Sequence, residues 1–122
     1  LTMDTLRYLL RDTLDTEAKE DLSLEAIQKA VAEAFDIRLA DMTSSRRPRS
    51  IAVPRQVAMY LCRSLTSASL PDIAHAFNRT HATVLHAYNT VDSRMEVDSD
   101  LRSSVSTVAQ RLGRSIPVHV NA

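Results

Sequence analysis

Residues 69–95 read SLPDIAHAFNRTHATVLHAYNTVDSRM, and the fold turns on this stretch. Ser69 is a favoured N-cap type, Pro71 falls where a first helical turn tolerates it, and Asp72 stands three residues on in a capping-box-like arrangement. Ile73, Ala74 and Phe77 form the buried side of this short helix. Asn78 and Arg79 make a tight turn. Thr80 then caps a longer helix whose Val84, Tyr88, Val91 and Met95 recur at helical spacing. A short capped helix, a brief turn and a longer helix with a polar first turn form the helix-turn-helix layout, whose second helix enters the DNA major groove by its N-terminal residues. Thr80, His81 and Thr83 offer polar tips beside the positive end of that helix dipole, and Ala82 offers a methyl suited to a thymine methyl. Spacing alone leaves a plain helical bundle open as well.

Outward from this pair the helical period continues. Pro54 suits the first turn of a preceding helix with the apolar stripe Val57, Ala58, Leu61, Cys62 and Leu65. Before it, Thr43 to Val53 reads as a basic loop (43–53), which Pro48 pushes toward an extended form. Ser23 is placed to cap a helix carrying Leu24, Ile27, Val31 and Phe35, and Asp36 to Met42 is one further short turn. Met3, Leu6, Leu10 and Leu14 suggest an opening helix, broken by the polar stretch from Asp15 to Asp21. On the other side a last helix begins near Ser99, carries Leu101, Val105, Val108 and Leu112, and meets Gly113 at the position just past its end. No run has the two-residue period of a strand. The expected fold class is all-α.

With 122 residues, 44% hydrophobic and 25% charged, the chain is one domain's worth. At that length about 65% of the unfolded surface is buried on folding. One Cys rules out an internal disulfide framework and multi-Cys zinc patterns. No apolar run reaches the roughly 18 residues of a membrane span, so a cytoplasmic protein is expected. The start at Leu1, in mid-pattern, suggests a piece of a longer protein.

The net charge of zero conceals a division. Residues 1–45 carry five bases and ten acids, whereas residues 46–94 carry seven bases, all Arg, and two acids, Asp72 and Asp92. An acidic part followed by an Arg-rich centre points to one face built for a polyanion. Arg46, Arg47 and Arg49 lie on the loop, where an arginine can enter a narrow minor groove. Arg55 and Gln56, opening the next helix, and Arg63 two turns later are natural phosphate ligands. One reader helix, one basic arm and scattered clamps make a sequence-specific duplex binder.

Three runs carry a more specific signal: SRRPRSIAVPRQ (Ser45 to Gln56), SLPDIAHAF (Ser69 to Phe77) and RTHATVLHA (Arg79 to Ala87). In this order and spacing they closely resemble the C-terminal DNA-binding domain of the bacterial DnaA replication-initiator family, over about residues 23–112. The resemblance implies a Trp-repressor-like helical bundle containing a helix-turn-helix, and recognition of short DnaA boxes at the replication origin in the nucleoid. It implies a division into the end of an ATPase lid with its connector helix (1–22), the DNA-binding domain (23–113, with the helix-turn-helix at 69–94) and a flexible tail (114–122). Arg47 matches the family's minor-groove arginine. Arg46, Arg49, Arg55, Gln56 and Arg63 match basic-loop and backbone-contacting positions, and Pro71 a position that touches thymine methyl and phosphate. His81 and Thr83 match base- and phosphate-contacting residues; His86 lies one turn further on, and Arg79, Thr80 and Ala82 complete the expected DNA-binding set. Many family members have Gly-Gly-Arg-Asp-His-Thr-Thr where this chain has Asn-Arg-Thr-His-Ala-Thr, so the turn is one residue shorter. Thr80 thus stands for an acidic base reader, Ala82 for a threonine, and Val53 for an arginine common in the family.

No catalytic or metal site is expected. His81 and His86 are five apart, about 140° from a shared helix face, and no second Cys or carboxylate pair completes a coordination sphere. A chain whose one glycine is Gly113 has no phosphate-cradling loop. ATP and magnesium, and contacts with other DnaA protomers, are expected only in the full-length protein. Cys62 falls on the apolar stripe of its helix and reads as a buried core thiol rather than a reactive one, and Phe77 and Tyr88 fall on buried stripes, which argues against a base-stacking platform. Two other classes stay open: a helix-turn-helix transcription regulator, and a helical protein-interaction module using the acidic part.

Overall fold

The computed structural model describes residues 22–45 and 48–114. Among them are five α-helices and no strand: α1 (Leu24–Ala34), α2 (Arg49–Leu65), α3 (Leu70–Ala76), α4 (His81–Val97) and α5 (Ser99–Arg111), with a 3-10 turn, Leu39–Met42, between α1 and α2. The expected opening helix and the tail beyond Arg114 lie outside the described residues, as do Arg46 and Arg47.

The helix ends follow local chemistry. Ser23 Oγ accepts from Ala26 N at 3.0 Å, Ser69 Oγ from Asp72 N at 3.2 Å, and Thr80 Oγ1 from Thr83 N at 3.3 Å. Each cap satisfies an amide that the helix leaves without a partner. Asp98 closes α4 with its amide on Arg94 O and opens α5 with its carboxylate on Leu101 N. α1, α3 and α5 end alike, with a left-handed residue just past the cap: Asp36 (φ 55°), Asn78 (φ 55°) and Gly113 (φ 72°). In each case the next amide folds back, Ile37 N onto Ala32 O, Arg79 N onto Ala74 O and Arg114 N onto Ala109 O. These are Schellman motifs. The turn between α3 and α4 is therefore fixed by backbone bonds, and Asn tolerates the conformation they require.

α2 is the centre of the bundle, and every other element touches it. The stripe read from the sequence understates its burial: all six residues from Val57 to Cys62 are buried, with Ile51 and Leu65 beyond them. A helix buried nearly all round lies inside a molecule rather than on its surface. Tyr60 stacks on Tyr88 of α4 with ring centroids 5.1 Å apart. Phe77, Val84, Val91 and Met95 close the core beside it, and α1 and α5 cover the remaining sides with Ile27, Val31, Val105 and Val108. Cys62 is buried, and that burial pushes its thiol pKa well up. Gln28 of α1 donates to Ala76 O at 3.1 Å, pinning the end of α3.

Three expectations are corrected. The basic loop is shorter than 43–53, because α2 starts at Arg49 and its first turn closes on Pro48, whose carbonyl accepts from Ile51 N and Ala52 N at 2.9 and 2.8 Å. Pro54 therefore lies in the second turn, where its ring removes one donor from the ladder. Arg55 and Gln56 accordingly do not open the helix. Arg55 faces inward and is 7% exposed.

Candidate nucleic-acid interface

Core packing sets how α4 is rotated. Val84, Ala87, Val91 and Met95 face inward, so the opposite stripe, His81, Ala82, Leu85, His86 and Asn89, is exposed. His81 and Ala82 stand at the start of the helix, as a reading role requires. Thr80 and Thr83 are partly engaged with each other: besides the cap bond, their hydroxyls lie 3.1 Å apart, and Thr83 is half-buried. His86 is 3.4 Å from the Thr90 hydroxyl on its own helix.

The start of α4 shares a shallow cleft with α3, lined by Pro71, Ala74, His75, Arg79, Thr80, His81 and Ala82. Five of the expected residues, Pro71 and Arg79 to Ala82, are thus brought together. Arg49 is exposed at the start of α2, Gln56 is half-buried, and Arg63 is exposed in the last turn of that helix. None of these three lines the cleft. Sequence reasoning passed over two residues of this surface. His75 lies one turn from Pro71 on α3 and lines the same cleft, a neighbour the i, i+4 rule would have found. Leu85, 44% exposed, is one turn beyond His81 on the outer stripe; its place beside Val84, which is core, hides it in the sequence.

Two arginines hold the approach to the basic segment. Arg55 donates from Nε and Nη2 to Asp41 O at 3.2 and 2.8 Å, and Nη2 lies 3.3 Å from Ser44 Oγ. Burial first, and then the nearby Arg79 guanidinium, pull its pKa below the usual arginine value, against the opposing pull of Asp41. Arg79 donates from Nη1 to Phe77 O and Asn78 O at 3.3 and 3.1 Å, and from Nη2 to Ser44 O. Among the described residues no cluster of His, Cys, Asp and Glu is arranged to hold a metal ion, and no helix is long and apolar enough to cross a membrane.

A family model described as "Bacterial dnaA protein helix-turn-helix" matches residues 24–91, from the first residue of α1 through most of α4. The chain belongs to the bacterial DnaA helix-turn-helix family. Among its DnaA relatives, the chromosomal replication initiator protein DnaA of Methylacidiphilum infernorum is 42% identical over 116 residues, covering 94% of this chain and 26% of the relative. That of Ehrlichia ruminantium strain Gardel is 45% identical over 113 residues, covering 92% of this chain and 24% of the relative. The chain thus spans about a quarter of the length of these DnaA proteins. A solved structure titled as a DNA replication initiation factor superposes with a TM-score of 0.67 at 33% identity, over 82% of this chain and 31% of that one. The all-α, helix-turn-helix fold expected from the sequence is the DnaA one.

Proposed function

We propose that this chain is the origin-reading part of a replication initiator and binds duplex DNA at DnaA-box-type sites. The first turn of α4 enters the major groove, and the basic segment around Arg46 and Arg47 reaches the minor groove. The observation that carries this reading is the exposed, capped start of α4, where His81 and Ala82 share one cleft with Pro71 and Arg79. Within a helix-turn-helix family, that is the surface through which bases are read. Exposed Arg49 and Arg63 and half-buried Gln56 supply backbone contacts. Arg55, committed to Asp41 O, serves the domain from inside.

The mechanism is thermodynamic rather than chemical. Arginines that neutralise phosphates release counterions and provide affinity, while base-edge contacts provide choice. ATP and magnesium chemistry, contacts between protomers and a place in the nucleoid belong to the whole initiator. The test is fluorescence anisotropy with a nine-base-pair box duplex and a scrambled control over a salt series. With about six phosphates neutralised, log K falls against log salt with a slope near −5, and the box is preferred. A slope near zero, or equal affinity for both duplexes, refutes the reading.

A further inference from the structure

Two guanidinium groups from different parts of the bundle converge on one stretch of backbone, Asp41 to Ser44, just ahead of the basic segment. From α2, Arg55 grips Asp41 O with two donors. From the turn between α3 and α4, Arg79 reaches across 35 residues of sequence to Ser44 O while holding Phe77 O and Asn78 O with its other nitrogen. The Asp41 carboxylate accepts from Arg38 N at 3.1 Å and lies 3.5 Å from Arg38 Nη2, which braces the 3-10 turn. Two like charges drawn to one segment repel each other, so the arrangement is kept by its hydrogen bonds, which go to backbone carbonyls apart from the one from Arg55 Nη2 to Ser44 Oγ. Arg47 follows Ser44 by three residues, a reach of about 10 Å at most.

We propose that Arg79 is a positioning residue: bonded at once to the helix-turn-helix turn and to the Ser44 carbonyl, it sets the direction of the basic segment relative to the start of α4, so that the two groove contacts are made in register. This rests on the DNA-binding reading above. Sequence alone offered Arg79 as a DNA ligand, whereas its donors point to protein carbonyls.

The test is a double-mutant cycle on the 122-residue chain, comparing wild type, Arg47→Ala, Arg79→Ala, Arg79→Lys and the double variants on box and scrambled duplexes, with methylation protection of adenine N3 in the minor groove and guanine N7 in the major groove. Arg47→Ala is expected to weaken box binding by tenfold or more in the wild-type background and by less than threefold beside Arg79→Ala. Arg79→Ala is expected to lose adenine N3 protection and keep guanine N7 protection. Arg79→Lys keeps the charge but cannot bridge the three carbonyls, and is expected to show the same coupling in weaker form. Multiplicative losses overturn the proposal and make Arg79 an independent phosphate contact. Equal loss on both duplexes with falling helical signal also overturns it, leaving a purely structural arginine; should Arg79→Ala not fold, multiplicative losses with Arg79→Lys overturn it too. A wild-type chain that does not distinguish box from scramble overturns the DNA-binding reading, and this proposal with it.

Discussion

Asn78 shows how much depends on one backbone angle. Its φ of 55° is the pivot of the turn between α3 and α4, and in this region a β-carbon crowds the following carbonyl unless the side chain is small or locally bonding. The shorter turn here thus uses one left-handed Asn where many family members have two glycines. Asn78→Gly is expected to leave stability within about 0.5 kcal/mol, and Asn78→Val to cost about 1–2 kcal/mol, both read from urea unfolding. A valine variant as stable as wild type would mean that the turn has a second geometry at no cost. Arg55 carries the opposite lesson. It lies at i+4 from Ile51 and three and seven residues before Ala58 and Cys62, all buried, so it sits on the inner stripe of its own helix. Its charge made it look like a phosphate ligand. The periodicity that would have placed it inside was present but outweighed.

At the scale of the element, α4 joins two tasks in its first turn, since the same residues end the helix and face outward. Thr80 caps Thr83 N, so Thr80→Ala should cost about 1 kcal/mol of stability, checked by thermal or urea unfolding. Thr80→Asp retains a capping oxygen and adds a favourable charge at the helix start, so stability should hold within about 0.5 kcal/mol. It also restores a carboxylate able to accept from cytosine N4. Binding measured across single-base-substituted duplexes is therefore expected to gain a preference for cytosine at one position. An unchanged profile would remove residue 80 from the reading surface and leave it a cap alone. His81→Ala, by contrast, deletes an exposed side chain that makes no cap bond. It should alter base preference by about 1–3 kcal/mol at one position with stability unchanged; uniform weakening on every duplex would make His81 a phosphate contact.

For the whole molecule, the core itself sets a limit at high pH. Burial raises the pKa of the Cys62 thiol and of the Tyr60 hydroxyl, so the folded protein holds both protons more tightly than the unfolded chain does. Stability from this source is fully present below the unfolded pKa values, about 8.5 for Cys and about 10 for Tyr, and is lost as pH rises above them, because the unfolded state then binds fewer protons. Urea midpoints are expected to hold between pH 7 and 8 with respect to these groups, to fall above about pH 8.5 and to fall more steeply above about pH 10. Cys62→Ala should lower stability by about 1–2 kcal/mol and remove the earlier part of the decline. A decline of unchanged shape in that variant would exclude the thiol as its source.

What the sequence determined by itself was everything set by neighbours along the chain: helical periods, the caps at Ser23, Ser69 and Thr80, the turn at Asn78, the stop at Gly113 and the Arg-rich centre. These follow from backbone hydrogen bonding and side-chain shape within a few residues. Only the tertiary structure decided which arginines face outward, that α2 starts at Arg49 and is covered on nearly every side, that His75 lines the cleft at the start of α4 and Leu85 is exposed on its outer stripe, and that Arg55 and Arg79 close on Asp41 and Ser44. Those outcomes depend on what packs against a residue from 14 or 35 positions away. A long cationic side chain with an apolar stem is compatible with either side of that surface until its neighbours are in place.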